Sequence, residues 1–98
     1  MTGSARSSHG LDPRRRRALF RAWHRGTRET DLLLGRFADA YIGALSDSDL
    51  EDFEALMEVP DRDLFAWITG ESPVPANHAT AVFAAIEQFH VTRHHEAQ

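Results

Sequence analysis

The sequence predicts a small all-α protein, a five-helix bundle with short loops. Three observations carry that prediction. Apolar residues return every three or four positions from Leu19 to Phe89, the period of helices with one buried face. No stretch alternates apolar and polar residues with β-branched enrichment, so strands are not expected. Caps and breakers punctuate the pattern at Asp12-Pro13, Gly26, Ser46, Pro60 and Gly70.

Residues 1–12 are rich in Gly and Ser and lack periodicity, which predicts a disordered N-terminal arm before a helical domain over residues 13–91. Asp12 suits an N-cap and Pro13 the first helical position, where a missing N–H costs nothing. The first helix is expected to run from Pro13 to about Arg25, with Leu19, Phe20 and Trp23 in the core and Gly26 just past its end. The second spans roughly Glu29 to Leu45, its stripe made of Leu34, Phe37, Ala38, Tyr41 and Leu45. Gly35 and Gly43 lower its helix propensity and allow a neighbouring helix to pack closely. Ser46 caps a third helix that continues to about Glu58, with Leu50, Phe53, Leu56 and Met57 inside and a strongly acidic outer face. After Pro60, Asp61 to Ile68 form a short fourth helix, apolar nearly all round and therefore expected to be largely buried. A stiff Pro-containing link over residues 71–76 leads to Asn77, the expected cap of a last helix carrying Val82, Phe83, Ile86 and Phe89. Residues 92–98 are expected to fray.

Composition narrows the function classes. The chain has 98 residues, one domain's worth, with 42% hydrophobic and 27% charged residues. With Cys 0 there is no disulfide framework, thiol nucleophile or thiolate metal site. No apolar run is long enough to span a bilayer, so membrane insertion is not expected. The net charge of −4 hides an asymmetry: residues 1–28 carry eight Arg against Asp12 alone, +7, while the remainder carries three Arg against fourteen acids, −11.

The polar cluster Arg25-Gly26-Thr27-Arg28-Glu29 lies between the first two helices. Arg25 and Glu29 are close enough in sequence to pair, and an exposed pair at a helix corner is worth only about 0 to 1 kcal/mol. The other reading is a docking corner, with a bare stretch of backbone at Gly26 between groups that make charge-assisted bonds. The Arg14–Arg17 run with Arg21, Arg25 and Arg28 has the composition of a phosphate-binding surface, and also of an organellar transit peptide. The −11 remainder would repel a long polyanion, so nucleic acid is not the expected partner. His90 and His94 with Glu87 have metal-ligand spacing, and Asp61 and Asp63 are acids at a helix start; a solvated helix end and caps explain them, and no metal site is expected. No nucleophile–base grouping or phosphate-cradling loop occurs, so no catalytic residue is assigned and the protein is not expected to be an enzyme.

Arg25-Gly26-Thr27-Arg28-Glu29, followed by Asp31-Leu32-Leu33-Leu34-Gly35-Arg36-Phe37, resembles the SdhE family of FAD assembly factors, whose mitochondrial branch is called succinate dehydrogenase assembly factor 2. The family's RGxxE motif stands here as Arg25, Gly26 and Glu29, and its D-L-F/Y-x-W turn as Asp63-Leu64-Phe65-Ala66-Trp67. The resemblance covers about Asp12 to Phe89. It implies a five-helix bundle that binds the flavoprotein subunit of succinate dehydrogenase, and often of fumarate reductase, and promotes covalent attachment of FAD to that subunit. Arg25, Gly26 and Glu29 would lie at the interface, and FAD would belong to the client and not be held stably here. A monomer in the bacterial cytoplasm is expected, with the mitochondrial matrix as the alternative compartment. A small regulatory or nucleic-acid-binding bundle of the antitoxin type, working through the Arg-rich first helix, is the competing function.

Overall fold

The structure, a computed structural model, describes residues 10–96 and the side chains of residues 10–92. The expected arm over residues 1–9, and the side chains of the expected tail beyond Thr92, lie outside the described residues. Five α-helices follow in order: α1 (Pro13–Trp23), α2 (Arg28–Tyr41), α3 (Asp47–Leu56), α4 (Asp61–Ile68) and α5 (Ala81–Glu96), with one 3₁₀ turn over Ala76–His78. No strand occurs among the described residues, and the all-α prediction holds.

Side chains adjacent to the helix starts explain most of the boundaries. The Asp12 carboxylate accepts the Arg15 backbone N–H at 3.2 Å, with Pro13 at the first helical position. Thr27 Oγ1 accepts the N–H of Thr30 at 3.3 Å and opens α2; Ser46 Oγ accepts that of Asp49 at 3.0 Å and opens α3. Each bond satisfies an N–H that the helix itself leaves without a partner. The last helix departs from expectation. Asn77 falls inside the 3₁₀ turn, and Thr80 caps α5 by accepting the Phe83 N–H at 3.2 Å. This helix then continues to Glu96, past the expected fraying point, whereas α2 stops at Tyr41, short of Leu45. The end of α2 is closed from α1: Arg15 donates from Nε to the Ile42 carbonyl at 3.0 Å and from Nη2 to the Leu45 carbonyl at 2.5 Å.

Phe37 and Phe53 lie at the centre, joined by Leu34, Ile42, Leu50, Leu56, Leu64 and Ile86, all essentially without solvent contact. Phe89 meets Phe37 edge-on at 5.7 Å. α1 packs most closely against α2, and α5 lies against α2, α3 and α4. At Gly35 helices α1 and α2 come close, and an added Cβ would fall 2.3 Å from Trp23 Cδ2. Glycine there lets the indole lie flat on α2, and Trp23 Nε1 donates to Asp39 Oδ1 at 3.1 Å.

Five side chains differ from the sequence reading. Phe20, expected in the core, is 63% exposed, because α1 turns Ala18, Leu19, Ala22 and Trp23 inward and residue 20 falls on the other side. Tyr41 is exposed, and Ile42 takes the core position beside it. Phe65 and Trp67 are half-buried, so α4 buries Leu64 and Ile68 and is not sealed all round. Leu11, within the expected arm, is packed into the core.

Candidate functional site

The corner between α1 and α2 is built by residues 24–27. His24 ends α1, and Gly26 has φ +123°, a backbone conformation that side-chain-bearing residues rarely adopt. A Cβ at Gly26 would stand 3.5 Å from Asp61 Oδ2, an ordinary contact, so backbone conformation and not internal crowding calls for glycine here.

Arg25 faces inward. Its side chain is only 8% exposed. Nε donates to Asp61 Oδ1 at 2.9 Å, Nη1 to the Met57 carbonyl at 2.5 Å, and Nη2 to the Val59 carbonyl. Its backbone N–H donates to Asp31 Oδ1 at 2.6 Å, from the first turns of α2. The physical logic is that of a fork over a helix end. The last carbonyls of α3 have no helical partner, a planar guanidinium offers several donors in fixed directions, and the Asp61 carboxylate balances the charge. One side chain thereby ties the α1–α2 corner to the α3–α4 junction.

The three motif residues are therefore brought together but do not point the same way. Arg25 forms its ion pair with Asp61, and the expected pairing of Arg25 with Glu29 is not seen; the contact that wins is one the local sequence does not disclose, 36 positions away. Gly26 and Glu29 are exposed, and Glu29, in the first turn of α2, has no hydrogen bond or ion pair among the described residues. Its carboxylate is favoured there by the positive end of the helix dipole. Arg28 beside it is likewise exposed and unpaired among the described residues. The corner thus presents an unobstructed backbone, one free carboxylate and one free guanidinium on a rigidly braced turn. Asp61 and Asp31, which brace it, read in the sequence as no more than acids near helix starts.

The charge asymmetry is largely resolved inside the molecule. Arg14 holds Glu54 through Nη2 to Oε1 at 2.7 Å and Nε to Oε2 at 2.9 Å. Arg21 reaches Glu58 at 2.5 Å and Arg15 reaches Asp12 at 3.0 Å. The hydrogen bond from Arg14 holds the Glu54 carboxyl below the usual carboxylate range, and the Arg15 side chain does the same to Asp12. Four arginines of the basic stretch (Arg14, Arg15, Arg21 and Arg25) are thus matched to acids of this chain, which removes most of the phosphate-binding surface that the composition suggested. Among the described residues there is no group of three or more His, Asp or Glu placed to hold a metal ion, and the His94 side chain lies outside them. No helix of the described residues is long and apolar enough to cross a membrane. The Asp63–Trp67 turn forms most of α4, with the Trp67 ring 5.6 Å from that of His78.

Comparison with known proteins shows the family. The family model described as flavinator of succinate dehydrogenase matches residues 16–90. The FAD assembly factor SdhE of Acetobacter pasteurianus is 42% identical over 79 residues, covering 81% of this chain and 72% of that protein. The mitochondrial succinate dehydrogenase assembly factor 2 of Mycosarcoma maydis is 39% identical over 74 residues, 76% of this chain and 31% of the relative. That of Dictyostelium discoideum is 36% identical over 77 residues, 79% of this chain and 55% of the relative. The matched region is therefore most of the bacterial relative but less than two thirds of either mitochondrial one. No solved structure matches the chain significantly. The family match begins within α1, includes the braced corner and ends within α5, and the chain belongs to the family of succinate dehydrogenase flavinators.

Proposed function

We propose that this chain is an assembly factor that docks on the flavoprotein subunit of succinate dehydrogenase and promotes covalent attachment of FAD to it. The observation that carries this reading is the family match over residues 16–90 together with an exposed, side-chain-free turn at Gly26 inside the matched region. The roles of the motif residues follow from their placement. Arg25 acts from inside as a positioning residue, fixing the corner through Asp61 and the carbonyls of Met57 and Val59. Gly26 lets the client's backbone come close, and Glu29 supplies a charge-assisted bond that sets orientation. Held this way, the client's attachment site and its flavin spend more time in a reactive arrangement, which accelerates bond formation without any reacting group from this chain. The bond forms within the client, FAD is the client's ligand, and this protein is not an enzyme. The fumarate reductase flavoprotein is a second client of the same chemistry. The cytoplasm of a bacterium is the compartment of this reading, with the mitochondrial matrix as the alternative, since bacterial and mitochondrial relatives both match.

The test is covalent flavin on a co-expressed flavoprotein subunit, read by in-gel fluorescence, with wild type, Gly26→Ala and Gly26→Arg. Both variants share the backbone strain at φ +123°, about 1–3 kcal/mol, so the difference between them isolates the clash with a client. Gly26→Arg is expected to abolish co-purification and flavinylation while Gly26→Ala retains part of both. Normal flavinylation with a folded Gly26→Arg variant would refute the docking role of the corner.

A further inference from the structure

We propose that the docking surface extends from the Gly26 corner along the outer face of α1, where Phe20, His24 and Arg17 receive an acidic segment of the client that also carries an apolar side chain. The inference rests on the docking role proposed above and adds to it the partner chemistry of a second contact.

Phe20 is 63% exposed, the most exposed large hydrophobic side chain among the described residues. Its ring lies over that of His24, with centroids 4.0 Å apart and planes 17° from parallel, and a His24 ring nitrogen sits 2.8 Å from the Phe20 carbonyl. The two rings form a flat plate one helical turn deep, held by the helix itself. Beside it a shallow open depression runs between Pro13, Arg16, Arg17, Phe20 and Arg21. A large aromatic left in water is the kind of residue that anchors an interface, and a pre-stacked one loses little freedom on binding.

Charge decides the occupant. Arg14, Arg15, Arg21 and Arg25 are each neutralised by an acid of this chain, whereas Arg17, on the outer face, has no hydrogen bond or ion pair among the described residues. Arg28, unpaired as well, stands just past the corner at the start of α2. The helix thus pairs its inner cations directly and leaves Arg17, which feels the Glu54 carboxylate only at longer range, without a direct partner beside an uncovered aromatic plate. A segment of alternating acidic and apolar character complements both features. His24 adjoins Arg25 and lies two residues from Gly26, so one partner covers plate and corner together.

The experiment measures binding of purified flavoprotein subunit by biolayer interferometry to wild type, Phe20→Ala, Arg17→Glu and Gly26→Arg, with circular dichroism and Tm as fold controls. Phe20→Ala and Arg17→Glu are expected to keep wild-type helicity and Tm and to weaken binding about tenfold each. The Arg17→Glu deficit should shrink at about 0.5 M salt, where exposed charges are screened. Unchanged affinity in both, with Gly26→Arg still unable to bind, would overturn the extended surface and leave the corner standing. No binding even by wild type would overturn both. Loss of self-association in Phe20→Ala, or of nucleic-acid retention in Arg17→Glu, with client affinity unchanged, would assign the face to another occupant and likewise overturn the proposal.

Discussion

Replacing Arg25 with alanine is the perturbation most informative about how the corner is built. The guanidinium is 8% exposed, and its removal leaves the Asp61 carboxylate, itself 18% exposed, without its cation. The Val59 carbonyl, just past α3, loses its donor at the same time, and the Met57 carbonyl at the C-cap of α3 keeps only the longer bond from Arg21, at 3.5 Å. Breaking a buried pair by removing one partner costs about 3–5 kcal/mol, and an orphaned carbonyl adds about 1–3 kcal/mol where water does not reach it. Partial exposure of Asp61 admits some water, which places the expected loss near the low end, about 3 kcal/mol. For a domain of this size that corresponds to a fall in Tm of about 12–24 °C. Arg25→Lys should lie between, since one ammonium does not span three acceptors in different directions. The assay is urea and thermal unfolding followed by circular dichroism, with Glu29→Ala as the counterpart. Glu29 is exposed and unpaired among the described residues, so its loss should change stability by less than about 0.5 kcal/mol while weakening client binding. Arg25→Ala within about 1 kcal/mol of wild type would refute the bracing role. A Glu29→Ala variant as unstable as Arg25→Ala would refute the division of the motif into an inward and an outward half.

Three further outcomes follow from the packing and the ion pairs. Gly35→Ala places a methyl 2.3 Å from the buried Trp23 ring and forces the indole off Asp39; overpacking of about 1–3 kcal/mol outweighs the roughly 1 kcal/mol gain in helix propensity, so unfolding measurements should show a net loss and tryptophan emission a red shift. Trp67→Ala should leave the bundle folded at a cost of about 2 kcal/mol, less than the roughly 3–5 kcal/mol of a sealed tryptophan, because the ring is half-buried; a collapse of the fold at room temperature would contradict this placement. Glu54 has its folded-state pKa depressed by Arg14, so its contribution is present above the ordinary carboxylate pKa and is lost as pH falls through the folded value. The Tm gap between wild type and Glu54→Gln, about 1 kcal/mol of stability or less for this partly exposed pair, should therefore be visible at pH 7 and close as the pH falls below the ordinary carboxylate range and through the depressed folded value.

What the sequence disclosed and what it hid divide along the range of the interactions. Helix identity was legible because caps and stripes are local: Asp12, Pro13 and Ser46 act where they stand, and Leu34, Phe37, Leu50 and Phe53 are buried as their spacing implies. Gly35 also behaves as its composition suggested, admitting a neighbour, although nothing local named Trp23 as that neighbour. The cap of α5 was misplaced because Asn77 and Thr80 are both competent caps and the intervening 3₁₀ turn decides between them. Phe20 was misassigned because three aromatic or aliphatic residues at 19, 20 and 23 fit one broad helical arc, and only the direction of α2 shows where that arc ends. At the corner, the cluster 25–29 was visible as a candidate, but the direction of Arg25 was not. Its acceptors lie 32 to 36 positions away, and an arginine in a basic run reads as a surface charge until the chain folds α3 beneath it.

The central claim is that the Gly26–Glu29 turn is the surface a larger flavoprotein covers. Backbone amide spectra of the isotopically labelled chain, recorded as the flavoprotein subunit is added, test it most directly. The amides of Gly26, Thr27, Arg28 and Glu29 should shift or broaden first, with the acidic outer face of α3 unaffected. Perturbations centred on α3 and α5, with the Gly26 signal unmoved at saturation, would contradict it.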